Sequence, residues 1–211
     1  MKLQLNNYQI KMLAAIFMVV DHIGVVFFPN LPVFRLIGRL SFPLFAWLLT
    51  QGERYTRNFN RYLLRLVLLG LISQPLFVLA LSGTRLNILF TLSLGLITLR
   101  LGSRFSQYRY LIWGLGLVTA QLLRVEYGAY GMAVIYLFTA FRFGEVWWVV
   151  WMGLHLLLIA VMVKFGLFQL PAIVAGLLVN SANHQKGRSA RWFYSFYPLH
   201  LLVLYLISQL S

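Results

Sequence analysis

The chain has 211 residues, 61% hydrophobic and 10% charged, with a mean hydropathy of +0.80, which excludes an ordinary soluble domain. Lysine and arginine total 18 against 4 acids, a net charge of +14; in so apolar a chain this reflects basic loops that orient helices, not a nucleic-acid surface. Cysteine is absent, so disulfides, S-acylation and thiol catalysis are excluded.

Apolar runs of about 20 residues, enough to cross a bilayer core of about 30 Å, recur from near residue 9 onward. They predict an all-α fold: a polytopic transmembrane helical bundle of about nine helices (eight to ten possible), in one integral membrane domain over 1–211. The spans are 9–28, 34–51, 62–82, 86–101, 109–124, 127–142, 145–164, 167–181 and 193–210, the fourth to sixth being short. The first run lacks a compact basic region and a small-residue cleavage site, and it continues through Asp21 and His22, so it reads as a retained helix. A cytoplasmic N-terminus places Lys2, Lys11, Arg54, Arg57, Arg61, Arg65, Arg100, Arg104, Arg109, Arg142, Lys186, Arg188 and Arg191 inside. Only Arg85, Arg124 and Lys164 then fall outside.

The first span carries "FMVVDHIGVVFF", residues 17–28. Ionisable groups inside hydrocarbon are costly, so Asp21 and His22 mark a site facing a protein interior or a wet cavity. At 1.5 Å per residue His22 lies about 20 Å along the helix, in the outer half of the bilayer. The turn "PNLP" reverses the chain, bringing Arg39 of the second span to a similar depth. Neighbours on a helix point about 100° apart, so Asp21 pairs with Arg39 or another buried donor while His22 turns to the cavity, where an imidazole suits proton transfer. A polar clamp that only pins two helices is the architectural alternative.

Between the second and third spans, Arg54, Arg57, Arg61 and Arg65 recur every three or four residues, which on a helix makes one stripe suited to phosphates; orientation and anionic lipid headgroups account for the same charges. In the third span Gln74 precedes Pro75, and Asn87 opens the fourth; both satisfy freed backbone groups or line a cavity. The stretch "EYGAYG" sets Glu126, Tyr127 and Tyr130 at the outer mouth of the sixth span. His155 reads as a satisfied core histidine, His184 as a solvated loop residue, and His200 follows a proline in the last span. No metal-ligand spacing appears.

The succession "MVVDHIGVVFFP", "RLIGRLSFPLFAWLLTQG", "RYLLRLVLLGLISQPLF", "NILFTLSLGL", "EYGAYG" and "FYPLHLL" resembles the TraX family of integral membrane proteins over nearly the whole chain. Glu126 replaces the aspartate usual before "YG" in that family. A pattern-level likeness to transmembrane acyltransferases lies in His22, "GRLSFPLF" and Arg54 to Arg65, in that order. These resemblances imply an enzyme of the bacterial inner membrane that moves an acetyl group from cytoplasmic acetyl-CoA to an exported acceptor, a pilin or peptide amino terminus or an envelope glycan. The donor would dock on the four arginines. His22 would act as base and Arg39 or Asn87 would face the oxyanion, with Gln74, Glu126, Tyr127, Tyr130 and His200 lining the cavity. The rival reading is a proton-coupled transporter or lipid-handling protein using Asp21 and His22 as a relay, although no inverted repeat is visible.

Overall fold

The computed structural model describes residues 4–142, 144–188 and 192–210; Lys2 and Arg191, used above for orientation, lie outside them. Among the described residues there is no strand, and the α-helices are α1 (Asn7–Val26), α2 (Pro32–Gly38), α3 (Ser41–Tyr55), α4 (Phe59–Leu81), α5 (Ile88–Arg104), α6 (Arg109–Leu122), α7 (Gly128–Thr139), α8 (Glu145–Val161), α9 (Val163–Gln169), α10 (Ala175–Asn180) and α11 (Phe193–Ser208). Helices α2 and α3 form one interrupted span, Pro32–Tyr55, and α9 and α10 another, Val163–Asn180. With those pairs joined, the described residues form nine helices, the number expected from the apolar runs. Four, Asn7–Val26, Pro32–Tyr55, Phe59–Leu81 and Val163–Asn180, are long and apolar enough to cross a membrane. The protein is an all-helical membrane protein.

Local chemistry sets the helix starts. Asn6 and Gln9 form a reciprocal capping box at α1, each side chain accepting from the other's backbone N–H at 2.9 Å. Pro32 opens α2, where its missing N–H costs nothing. Asn58 caps α4 by accepting from Arg61 N at 2.9 Å, and Asn87 caps α5 by accepting from Leu89 N at 3.0 Å.

The Asn58 cap corrects one expectation. Arg54, Arg57, Arg61 and Arg65 do not lie on one helical stripe: Arg54 ends α3, Arg57 sits in the turn, and only Arg61 and Arg65 share α4. The same three- and four-residue spacing is therefore split by a turn that leaves all four side chains exposed.

The chain divides into two compact units, Met1–Leu48 with Ala140–Arg191 and Leu49–Thr139 with Trp192–Ser211. In the first, α1 packs on α2 and α8 on α9. Ser41 Oγ donates to Ala14 O at 2.8 Å, and Leu5 exchanges backbone bonds with Ser181 O (2.7 Å) and Asn183 N (2.9 Å). Trp147, Trp151 and His155 line one face of α8, Trp147 stacked on Trp151 and His155 edge-on to it, and Trp151 Nε1 donates to Ile173 O at 3.2 Å. His155 is fully buried with Nδ1 2.9 Å from Trp151 O, as a core histidine should be.

In the second unit α4 packs between α5 and α11, and α5 also meets α6 and α7. Small residues permit the close approach: a Cβ on Gly116 would lie 2.9 Å from Thr98 Oγ1 across the α5–α6 contact. The loop before α7 is tied to the start of α5 by Leu86 N donating to Arg124 O (3.2 Å) and Glu126 N to Leu86 O (2.8 Å).

Candidate functional site

In the first unit, Asp21 is 9% exposed, and its Oδ1 accepts from Arg35 Nε at 3.0 Å and from Arg39 Nη2. Arg39, only 6% exposed, follows the end of α2 at the break before α3, and its Nε donates to Arg35 O at 3.1 Å. Both guanidinium groups lie over the Phe168 ring, 5.5 Å from its centroid for Arg35 and 4.9 Å for Arg39. Gly38 makes the approach possible, because a Cβ there would overlap the Asp21 side chain.

The structure thus brings Asp21 and Arg39 together and adds Arg35, to which the sequence reading gave no role. Its signal was the four-residue spacing from Arg39 on one helix. Two guanidiniums on one carboxylate, Arg39 buried and Arg35 half-buried, leave the cluster with a surplus positive charge. That surplus suits an anion or a carbonyl oxygen gaining charge, and the Asp21 contact holds the donors fixed. His22, 7% exposed, occupies the adjacent position on α1.

A second polar cluster lies in the second unit. Gln74 Oε1 accepts from Asn87 N and Asn87 Nδ2, both at 2.9 Å, and Gln74 Nε2 donates to Arg85 O at 3.0 Å. Asn87 Nδ2 also donates to Gly70 O at 2.8 Å. Asn87 is fully buried, with both amide hydrogens and its carbonyl engaged, so it neither lines an open cavity nor has a hydrogen left for an oxyanion. With Gln74 it instead clasps the α4–α5 connection.

Glu126 and the aromatics stand close by along the chain. Thr91 Oγ1 donates to Glu126 O at 2.6 Å, and the Tyr127 and Tyr130 rings are 6.2 Å apart. Tyr127 holds φ +62°, unusual for a bulky residue. Tyr197, which the sequence reading passed over, interacts electrostatically with Glu126 and Tyr127, and its hydroxyl is buried with no hydrogen-bond partner among the described residues. His200 stacks on Phe196 at 5.2 Å and lies 5.4 Å from Tyr197, with Nδ1 3.0 Å from Phe196 O. Glu126, Tyr127, Tyr130, Tyr197 and His200 therefore belong to one unit.

Of the arginines around the α3–α4 turn, Arg65 Nη1 donates to Tyr194 Oη at 3.3 Å. Glu53 pairs with Arg100 at 3.0 Å. Among the described residues no group of three or more His, Asp or Glu is placed to hold a metal ion.

Comparison with known proteins points one way. The chain is 29% identical to a probable fimbrial assembly protein FimC (serogroup H1) of Dichelobacter nodosus, over 94% of each chain. It is 35% identical to an uncharacterized protein of Rickettsia prowazekii (strain Madrid E), over 43% of this chain and 36% of that one. No solved structure matches. The family described as TraX protein matches residues 6–208, so nearly every helix above is part of the match and the chain belongs to the TraX family.

Proposed function

We propose that the protein is an acyltransferase of the bacterial inner membrane that moves an acetyl group from acetyl-CoA to an exported acceptor, with His22 as the general base. The observation that carries this reading is the buried Asp21–Arg39 pair beside His22 in an apolar helix, joined by the half-buried Arg35, within a TraX-family chain. Such a cluster is costly in hydrocarbon, and a group poised for charge development explains its retention better than helix pinning, for which one arginine would do.

The acceptor's amine or hydroxyl attacks the thioester carbonyl, and His22 takes its proton. The tetrahedral oxyanion forms near the guanidinium charge of Arg39, with Arg35 sharing the Asp21 carboxylate. Collapse breaks the C–S bond, and the proton held by His22 returns to the departing CoA thiolate. Apolar side chains around Asp21 and His22 keep bulk water from competing as acceptor. The exposed Arg54, Arg57, Arg61 and Arg65 carry the charge that the phosphates of the donor require, with the N-terminus on the cytoplasmic side. The fimbrial assembly name of the relative that matches nearly end to end favours an exported fimbrial or pilus subunit over an envelope glycan.

The test is transfer of radiolabelled acetyl from acetyl-CoA in proteoliposomes containing an exported pilin peptide. We expect transfer by the wild type and a fall of at least about a hundredfold in His22→Ala, the range typical of a lost general base. Wild-type rates in His22→Ala remove His22 from the chemistry, and proton-coupled solute uptake without any response to CoA species replaces the enzyme with a transporter.

A further inference from the structure

An open cleft of about 590 Å3 lies in the second unit, lined by Phe59 and Asn60 from the first turn of α4 and by Arg100, Leu101, Ser103 and Arg104 from the end of α5. Its volume is that of a small-molecule site. The sequence reading used Arg100 and Arg104 only as orienting charges, and the cleft gives them a second use. Arg100 is held in place: its Nε faces Glu53 Oε1 at 3.0 Å, and its guanidinium lies 4.8 Å over the Phe59 ring. Arg104 and Ser103 are exposed at the rim.

Charge decides what such a cleft accepts. Glu53 neutralises one guanidinium, leaving Arg104 as a full positive charge. The positive end of α4 and the negative end of α5 are each worth about half a charge, so they offset one another and the balance stays positive. Arg57 and Arg61, within two residues of Phe59 and Asn60 in sequence, are exposed and deepen the attraction. Phe59 and Leu101 add an apolar wall. A ligand matching these features carries phosphate on a flat, partly apolar body.

We propose that this cleft binds the phosphate-bearing end of a nucleotide, with Arg104 donating to the phosphate and the Arg100–Phe59 pair forming one wall for the base. On the acyltransferase reading, the occupant is the adenosine bisphosphate end of the acyl donor. An anionic lipid headgroup offers the same phosphate chemistry without the base, so the experiment separates the two.

Thermal unfolding of the full chain is followed in zwitterionic nanodiscs with adenosine 3′,5′-bisphosphate, with inorganic phosphate, and in nanodiscs containing phosphatidylglycerol. We expect saturable stabilisation by the bisphosphate that exceeds inorganic phosphate at equal concentration, a Kd at least tenfold weaker in Arg104→Glu, and partial retention in Arg104→Lys. Both substitutions are at an exposed site, so unliganded melting serves as the folding control. Equal bisphosphate response in wild type and Arg104→Glu overturns the assignment, as does a response confined to phosphatidylglycerol. Bisphosphate binding without acetyl transfer leaves the cleft standing and removes the acyltransferase; acetyl transfer with an unchanged KM for acetyl-CoA in Arg104→Glu does the reverse.

Discussion

Gly38 and Asp21 touch where α2 packs on α1, and a Cβ on Gly38 would occupy the space of the Asp21 side chain. Gly38→Ala must therefore push α2 away or swing the carboxylate off Arg35 and Arg39. Overpacking of this kind costs about 1–3 kcal/mol. We expect a lower melting temperature in nanodiscs together with a fall in acetyl transfer. A variant that melts and turns over like the wild type would show that Asp21 can leave its arginines without consequence.

The ion pairs make a quantitative claim of their own. Removing one partner of a buried pair costs about 3–5 kcal/mol, because the remaining charge is stranded, whereas removing both is far milder. Asp21→Asn should destabilise strongly, and Arg39→Leu should cost less in the Asp21→Asn background than in the wild type, with a coupling of at least about 1 kcal/mol. Denaturant titration of the four proteins gives the cycle. Additive effects would mean that Arg35 alone carries the Asp21 contact.

The helices and their number were legible because a membrane span announces itself by length and apolarity, and the contact of Asp21 with Arg39 followed from similar heights, at 1.5 Å per residue, on two spans joined by a tight turn. The interruptions were not. A helix apolar all round has no amphipathic phase to lose, so the break at Arg39 left no trace in the pattern, whereas the turn at 56–58 falls between two expected spans and was obscured only by the helical spacing of the arginines. Asn58 was a readable cap signal, outweighed by the regular arginine spacing. Arg35 was visible as a charge but acquired its partner only through the close approach at Gly38. The saturation of Asn87 depends on Gly70 O and Gln74, a geometry that no local spacing contains.

That saturation predicts a structural phenotype. Asn87→Ala removes the α5 cap, worth about 1 kcal/mol, and the two Nδ2 donations to Gly70 O and Gln74 Oε1, while Gln74 Oε1 keeps its bond from the backbone N–H of residue 87. Asn87→Asp keeps the cap but loses both Nδ2 donations and sets a buried carboxylate oxygen against two acceptors, Gly70 O and Gln74 Oε1. We expect both to melt lower, Asn87→Asp by more, with KM for acetyl-CoA unchanged in the protein that remains folded. A specific rise in KM with unaltered melting would return Asn87 to the binding site.

The loop before α7 holds Arg124, Tyr127 and Gly128 at φ +51°, +62° and +50°, a left-handed run clamped by the Leu86 bonds to Arg124 and Glu126. Gly128→Ala meets two penalties there. The left-handed backbone costs a residue with a Cβ about 1–2 kcal/mol, and the new methyl would lie 2.6 Å from Gln121 Oε1. The second is the smaller, since Gln121 is exposed and its side chain can swing aside. Adding Gln121→Ala to Gly128→Ala should therefore recover little of the lost melting temperature. Full recovery would assign the penalty to the side-chain clash and leave the left-handed turn, with the Tyr127 and Tyr130 placement it sets, free of backbone strain.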